Sequence, residues 1–384
     1  MDEDFCWWSN YLTNTLNKIE GLIDNKNEIY ADFHIHTDYS ADGKQTLEEI
    51  LYRTSNLGLD IIAITDHDSI GAFKDLYNIV IKNKQEYPIV IPGIEFTVEN
   101  NDYGSQCHIL QLMINPKEKS LIENVKYNEK ALWKRIDKQF ERISKNEALQ
   151  YYINQEKIIC NKIDYKEFLK TLRRPIPEYN TIMMYIQKKL IEKNISNWDI
   201  FKLLEESNEK DECKARKDIK RKRYEVLKER YKYNKESNNS LRFLHSMLAV
   251  KGADDDDFPN YECKGCLSVN YFGELKVEEL NKKYLTFVAH PSQEKLDCIN
   301  KLIELNNNIC GIEYNKQCKY TKPELFFSKV RELNLLKIVG SDSHSLDSEW
   351  YNDLSFYHMD KNELKKFTKK GKEYAKKLDI KDKK

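Results

Sequence analysis

The sequence predicts an α/β fold in which strands are joined by helices and interrupted once by a long helical insertion. Short apolar runs alternate with amphipathic stretches from Ile29 to Pro116, and again from Tyr284 to Tyr357. This alternation is typical of parallel strands with helical crossovers. Six of the eight histidines stand where these apolar runs end. Functional groups gather at the carboxyl ends of strands in such folds, so the pattern also predicts a site there.

The elements of the first half can be placed in order. Residues 1–28 have helical spacing, which indicates a helix that docks on the chain or contacts a second copy. A helix over 46–57 should begin at Thr46, with Glu49 completing a capping box. A strand is expected at 59–64, a helix at 73–84 and another strand at 89–94.

The middle of the chain reads as an insertion, because it is long, charged and mostly helical in spacing. Asp254–Asp257 is an acidic run for which a solvated loop is favoured over a metal site. Cys263 and Cys266 form half of a zinc-ribbon pattern without a second pair, so no structural zinc is expected there. Strands should resume at 285–289, 309–314 and 336–339, and a lysine-rich helix with a solvated face should follow.

Composition excludes several classes of protein. The chain has 384 residues, and its 40% apolar content is sufficient for a substantial core, which excludes overall disorder. Its 63 basic and 63 acidic residues balance, so nothing marks an obligate nucleic-acid binder. The acidic N-terminus lacks the features of a signal peptide, and no long apolar run suggests a membrane partner. We therefore expect a cytoplasmic protein with reduced cysteines.

The histidines and their acidic neighbours predict a multinuclear metal site. Neutral imidazole suits Zn, Mn and Fe, and carboxylates bridge metals and balance their charge. Nine ligands would serve up to three divalent metals and leave positions for water and substrate oxygen. The nine candidate ligands are His34, His36, Asp42, His67, Glu95, His108, His290, Asp342 and His344. Paired metals of this kind activate water and neutralise phosphoryl oxygens during phosphate ester hydrolysis.

Eight short motifs occur in the order typical of one known family. They are His34-Ile-His36-Thr, Ser40-Ala-Asp42-Gly43, Ile64-Thr-Asp66-His67-Asp68, Gly93-Ile-Glu95, His108-Ile-Leu, Ala289-His290-Pro291, Gly311-Ile-Glu313 and Gly340-Ser-Asp342-Ser-His344. Together they resemble the motifs of the PHP (polymerase and histidinol phosphatase) metallo-phosphoesterases. The resemblance covers residues 29–115 and 284–348. It implies a distorted (β/α)7 barrel with a trinuclear site that commonly holds Mn, Fe or Zn.

The resemblance also implies an assignment of ligands and domains. One metal would be held by His34, His36, Glu95 and Asp342, a second by Glu95, His108 and His290, and a third by Asp42, His67 and His344. The expected domains are an N-terminal helix at 1–28, a first barrel part at 29–116 and a helical cap at 117–281. A second barrel part at 282–357 and a basic tail at 358–384 would follow.

The residues expected to take part in catalysis are His67, Asp68, His290 and Glu313. For Asp66, Asp68 and Glu313, turn capping and strand-end hydrogen bonding are an equally good interpretation. In the cap, Arg174-Pro175 resembles part of an Arg-Pro-His element that faces phosphate, although Ile176 stands where the histidine would be. Arg135 and Arg142 are further candidates for gripping phosphate oxygens.

The favoured function is a metal-dependent phosphoesterase that hydrolyses a small phosphomonoester, preferably a nucleotide, by attack of a metal-bound hydroxide. One alternative is a nuclease or phosphodiesterase on short oligonucleotides, guided by the basic stretch 214–235. Another is a non-catalytic metal-binding module, which the complete ligand set disfavours. Histidinol phosphate stays open by family analogy, and so does a homo-oligomer.

Overall fold

Seven strands in chain order form one curled sheet in the computed structural model of the chain. The structure describes residues 3–40, 43–82, 87–98, 107–143, 149, 151, 181–209, 214–232, 240–248, 275–291, 296–315, 323–345 and 354–381. The strands are β1 (Ala31–Ile35), β2 (Ile61–Ile64), β3 (Ile89–Val98), β4 (Cys107–Leu112), β5 (Leu285–Val288), β6 (Ile309–Tyr314) and β7 (Leu336–Val339). Almost every residue of these strands is buried, as expected when helices cover the sheet.

The sheet closes toward a barrel at one end. Beyond the ends of β1 and β7, the amide of His36 donates to the carbonyl of Ser343 at 3.0 Å. The amide of Asp342 donates to the carbonyl of His34 at 2.9 Å. Because these bonds lie at the carboxyl ends of both strands, the first and last motifs of the chain become neighbours there. The predicted distorted seven-stranded α/β barrel with a helical insertion is confirmed.

One strand runs against the direction that the sequence predicts. β4 pairs antiparallel with both β3 and β5, while the remaining neighbours are parallel. His108 therefore stands near the beginning of its strand, and the prediction that it terminates an apolar run is wrong. Reversal explains how it still reaches the site, because the amino end of an antiparallel strand meets the carboxyl ends of its neighbours. His108 lies opposite Thr97 of β3.

The helices of the first structural unit alternate with the strands along most of the chain. They are α1 (Glu3–Asn25), α2 (Leu47–Asn56), α3 (Ala72–Lys82), the first part of α4 (Lys119–Ile143), α9 (Ile299–Leu305), α10 (Pro323–Glu332) and α11 (Lys361–Lys381), with short 3₁₀ turns at Val277–Glu279 and Leu354–Tyr357. Thr46 caps α2, and Glu49 completes the capping box, as predicted. Each predicted element in this part is present, with ends shifted by a few residues.

The two terminal helices pack together against the sheet. Helix α1 buries Trp8, Leu12 and Leu16, so it docks on its own chain. Helix α11 buries Leu364 and Phe367, and the Phe367 ring lies 5.3 Å from that of Phe33 in β1. The tail is therefore an amphipathic part of the core, and Lys365, Lys366, Lys369 and Lys376 are exposed on its outer face. None of the described helices is long and apolar enough to cross a membrane.

A second compact unit spans residues 130–272, and the first comprises 1–129 and 273–384. The described helices of the second unit are the rest of α4, α5 (Thr181–Glu192), α6 (Asn197–Glu209), α7 (Lys214–Arg230) and α8 (Leu241–Leu248). It has its own core, in which Phe201, Phe243 and Ile186 are fully buried. Asp254–Asp257, Cys263 and Cys266 lie outside the described residues.

Candidate metal centre

Six histidine rings form a contiguous cluster where the strands converge. Ring centroids are 4.2 Å apart for His36 and His344, and 4.5 Å apart for His36 and His67. The His67 and His108 rings, and the His108 and His290 rings, are each 5.0 Å apart. His34 completes the cluster, at 4.9 Å from His36. Motifs spread over the whole chain thus meet at one end of the sheet, which the sequence analysis expected.

Glu95 lies at the centre of the cluster and is fully buried. Its Oε2 atom is 2.9 Å from Nε2 of His34 and 3.2 Å from Nδ1 of His67. Its Oε1 atom is 3.0 Å from both Nδ1 of His108 and Nε2 of His290. Each carboxylate oxygen therefore faces its own set of imidazoles, which is the arrangement that a bridging carboxylate requires.

Among the described residues, three groups of donor atoms are compact enough to hold an ion, since the atoms of each group lie within 4.8 Å of one another. The groups are His34, His36, Glu95 and Asp342; His67, Glu95 and His108; and His36, His67 and His344. The first group equals the set implied by the resemblance. The second contains His67, and His290 lies close by, with Nε2 3.1 Å from Nδ1 of His108. The third lacks Asp42, which lies outside the described residues.

The chemistry of the donors fits divalent metal ions. Nε2 of His34 and Nε2 of His36 are 2.9 Å apart, and Nε2 of His36 is 3.2 Å from Oδ1 of Asp342. Two imidazoles and two carboxylates that converge on one point are the donors that Mn, Fe and Zn accept. The assignment of individual ligands stays a proposal.

Burial and charge shift the pKa values of these groups in opposite directions. Burial alone would lower the pKa of His34, but Glu313, Glu95 and Asp342 outweigh it and raise that pKa well above its usual value. Burial alone would raise the pKa of Glu95, but His34, His67 and His108 hold it well below its usual range. The buried carboxylates thus require nearby positive charge, which bound cations would supply.

Glu313 supports two of the histidines. Its Oε2 atom lies 3.0 Å from Nδ1 of His34 and accepts the backbone amide of His290 at 2.6 Å. An imidazole that donates its Nδ1 proton to a carboxylate leaves its Nε2 lone pair for a metal. Glu313 was expected to be catalytic. Its described contacts are those of a residue that orients His34 and His290.

Asp32 is a buried carboxylate that the sequence analysis did not single out. It accepts the amide of Ser341 at 2.9 Å and the Ser341 hydroxyl at 2.6 Å. It also accepts the amide of His34 at 3.1 Å. Burial raises the pKa of Asp32 to about 7, although the hydrogen bonds from Ser341 oppose this shift. Alternation along β1 could have revealed it, since Asp32 and His34 share one face.

Asp66 and Asp68 flank His67 and anchor its turn. Asp66 accepts the amide of Thr37 at 2.6 Å. Asp68, expected to be catalytic, accepts the amide of Thr97 at 3.1 Å and the side-chain amide of Asn128 at 2.6 Å. Asn128 was missed because it lies in the predicted insertion, far from any motif. The catalytic roles of Asp68 and Glu313, like those of His67 and His290, stay proposals.

The backbone adopts a left-handed conformation at three residues next to the cluster. The φ values are +47° at Asp68, +24° at His290 and +55° at Asp342. This conformation is unfavourable for residues other than glycine and persists only where the surroundings hold it. These three turns are therefore fixed by their hydrogen bonds rather than by local preference.

The three arginine side chains predicted to contact phosphate lie outside the part of the chain that the structure describes. Arg174 lies outside the described residues, and Arg135 and Arg142 lie in α4 with side chains that are also outside them. Their roles stay predictions.

A comparison with protein-family models matches part of the chain. Residues 32–196 match the model of the PHP domain. This part of the chain is similar to a PHP domain. The match includes the first five of the eight motifs, through His108. It ends before His290, Glu313, Asp342 and His344, so these residues join the site by geometry and by motif resemblance.

A solved structure shows the same fold. A protein from Bifidobacterium adolescentis, provisionally named a metal-dependent phosphoesterase, matches this chain with a TM-score of 0.52 and 15% sequence identity, over 88% of this chain and 94% of that chain. An amidohydrolase from Chromobacterium violaceum, with bound sulfate and no metal, gives a TM-score of 0.46 and 15% identity over 86% and 98% of the two chains. A comparison with proteins of curated function gives no match.

Proposed function

We propose that this chain is a hydrolase, a metal-dependent phosphoesterase that releases phosphate from a small phosphomonoester, with a nucleotide as the favoured substrate. The observation that carries the proposal is Glu95, whose two oxygens face separate sets of histidines in a fully buried position. The PHP domain match and the name of the structural neighbour from Bifidobacterium adolescentis support the same reaction class.

The proposed ligands would bind up to three divalent ions of Mn, Fe or Zn. Bound ions would lower the pKa of water and neutralise the phosphoryl oxygens. Around them, Glu313 holds the His34 ring with Nε2 toward the cluster, and Ser40 lies 3.0 Å from Nδ1 of His36 and does the same for that ring. Fixed donors of this kind avoid reorganisation during the reaction, which is a large part of electrostatic catalysis.

The substrate follows from weaker arguments. The resemblance implies a helical cap that lines the substrate pocket, with Arg135 and Arg174 gripping phosphate oxygens in two-point contacts. A cap would restrict access to small phosphorylated molecules, and the resemblance favours a nucleotide among them. A cytoplasmic location and a homo-oligomer are part of the same proposal.

A nuclease on short oligonucleotides is the second candidate. Helix α7 supports it, since exposed Arg221, Lys222 and Arg230 lie along one helix. Phosphate contacts by such residues release counterions, so cleavage would weaken steeply with added salt. Salt-independent cleavage of oligonucleotides would remove this role for α7.

The test is phosphate release from mononucleotides, bisphosphorylated nucleosides, histidinol phosphate and short oligonucleotides with added Mn²⁺. We expect metal-dependent release from one class, lost in Glu95→Gln and His67→Ala together with bound metal. His358→Ala is the matched control, because His358 is exposed beside Tyr30 at the start of β1. If the wild type binds metal but releases no phosphate from any of these compounds, the result would favour the non-catalytic module.

A further inference from the structure

Asn128 is a fully buried asparagine that uses its hydrogen-bonding groups within the barrel unit. Its Nδ2 atom donates to Oδ1 of Asp68 at 2.6 Å and to the carbonyl of Thr97 at 2.8 Å. Its Oδ1 atom accepts the amide of Leu275 at 2.8 Å. Two donors and one acceptor are thus satisfied in a place without solvent, which makes this amide specific for its position.

The partners of Asn128 come from segments far apart in the chain. Asn128 precedes the second unit by two residues, and Leu275 follows that unit by three. The same side chain therefore joins the outgoing segment of the insertion to the returning one. It also joins both to the turn at Asp68.

The turn at Asp68 belongs to the metal centre. Asp68 has a left-handed backbone, and its amide donates to the carbonyl of Glu95 at 2.9 Å. The preceding residue is His67, whose Nδ1 atom lies 3.2 Å from Oε2 of Glu95. A shift of this turn would displace His67 relative to Glu95, because His67 and Asp68 are joined by one peptide bond.

We propose that Asn128 is a positioning residue that holds His67 in the geometry for metal binding, by fastening the Asp68 turn to both ends of the insertion. This inference rests on the proposed metal site, although not on the substrate. Removing the amide would leave the Asp68 carboxylate without its shortest hydrogen bond and the Leu275 amide buried without an acceptor.

The experiment measures Mn²⁺ binding to the full chain by isothermal titration calorimetry after chelation, with a thermal melt as a check of folding. Asn128→Ala should weaken at least one Mn²⁺ site by about tenfold or more, the usual effect of losing a residue that supports a ligand. Asn306→Ala is the control. Asn306 is also fully buried and supports the returning segment through the carbonyl of Val277, at the 3₁₀ turn. It should lower the melting temperature and leave Mn²⁺ affinity unchanged.

An exchange of the two polar groups separates positioning from general destabilisation. Asn128→Asp alone places two carboxylates against each other and should weaken Mn²⁺ binding. The double variant Asp68→Asn/Asn128→Asp restores the hydrogen bond between positions 68 and 128 in reverse order, but not the bond to the Thr97 carbonyl. It should bind Mn²⁺ more tightly than Asn128→Asp. This comparison decides the matter even if Asn128→Ala does not fold.

The outcomes are distinct. Wild type without bound Mn²⁺ would overturn the proposed function itself. Wild type with bound Mn²⁺, together with undiminished affinity in folded Asn128→Ala or no recovery in the double variant, would overturn only the role of Asn128.

Discussion

Asp32 at one edge of the sheet accepts both the backbone amide and the hydroxyl of Ser341 at the other edge, at 2.9 Å and 2.6 Å. The next residues after Ser341 are Asp342 and the segment leading to His344. One buried carboxylate therefore fixes the closing segment of the barrel against β1. Closure of the sheet therefore brings Asp342 and His344 next to the histidines that follow β1.

Asp32→Ala should weaken Mn²⁺ binding and lower the free energy of unfolding. The Ser341 and His34 amides would lose a buried acceptor, which costs about 1–3 kcal/mol. Calorimetric Mn²⁺ titration and urea unfolding measure the two effects. Asp60→Ala is the control, because Asp60 accepts the Tyr30 amide at the opposite end of β1. Equal Mn²⁺ affinity in Asp32→Ala and wild type would contradict this role.

Gly340→Ala should abolish the metal centre by steric conflict. A Cβ atom at Gly340 would overlap Oε1 of Glu313 and lie 2.6 Å from Cβ of His34. Both residues are buried and cannot move away freely. Gly21→Ala in α1 is the matched control, since its Cβ would meet no atom within 4 Å, and it should stabilise the helix by about 0.5–1 kcal/mol. Metal content and urea unfolding distinguish the two variants. Normal metal content in Gly340→Ala would mean that Gly340 lies farther from Glu313 and His34 than the structure shows.

Thr46→Ala should destabilise the chain by about 1 kcal/mol without changing Mn²⁺ affinity. Thr46 caps α2, and its own amide donates to Glu49 at 2.8 Å. The cap lies outside the cluster, so its loss acts through the helix alone. Urea unfolding and Mn²⁺ titration together check the prediction. A large loss of affinity would show that α2 transmits strain to the loop after β1.

Cys310 should resist alkylation in the folded chain at pH 8. Burial raises the pKa of its thiol to about 11, so the reactive thiolate is scarce, and the side chain is also inaccessible. The partly exposed Cys6 and Cys298 should react first. Iodoacetamide labelling followed by peptide mass spectrometry, with and without urea, measures the order. Native labelling of Cys310 at the rate of Cys298 would contradict its burial.

The sequence predicted what local patterns determine. Thr46 and Glu49 specify a helix start by themselves, and the apolar runs specify strands. Histidine motifs at strand ends predicted which side chains meet. His108 shows the limit of this approach, because a short apolar run does not reveal strand direction. The reversal of β4 depends on pairing with β3 and β5, which lie far apart in the chain.

Residues that act through one long-range hydrogen bond were missed for the same reason. Asp32 reads as an ordinary strand residue until Ser341, 309 positions later, is placed beside it. Asn128 reads as one polar residue of a charged helix. Their roles exist only in the folded chain, where burial removes water as a competing partner.

The hydrogen bond between Asn128 and Leu275 has an evolutionary consequence. It holds the departure and return points of the insertion side by side, so the insertion leaves the barrel and returns to it at a single place. The closure entropy of a loop grows slowly with its length. The residues between these two points could therefore be gained, lost or exchanged over evolutionary time while the sheet register and the histidine cluster stayed the same.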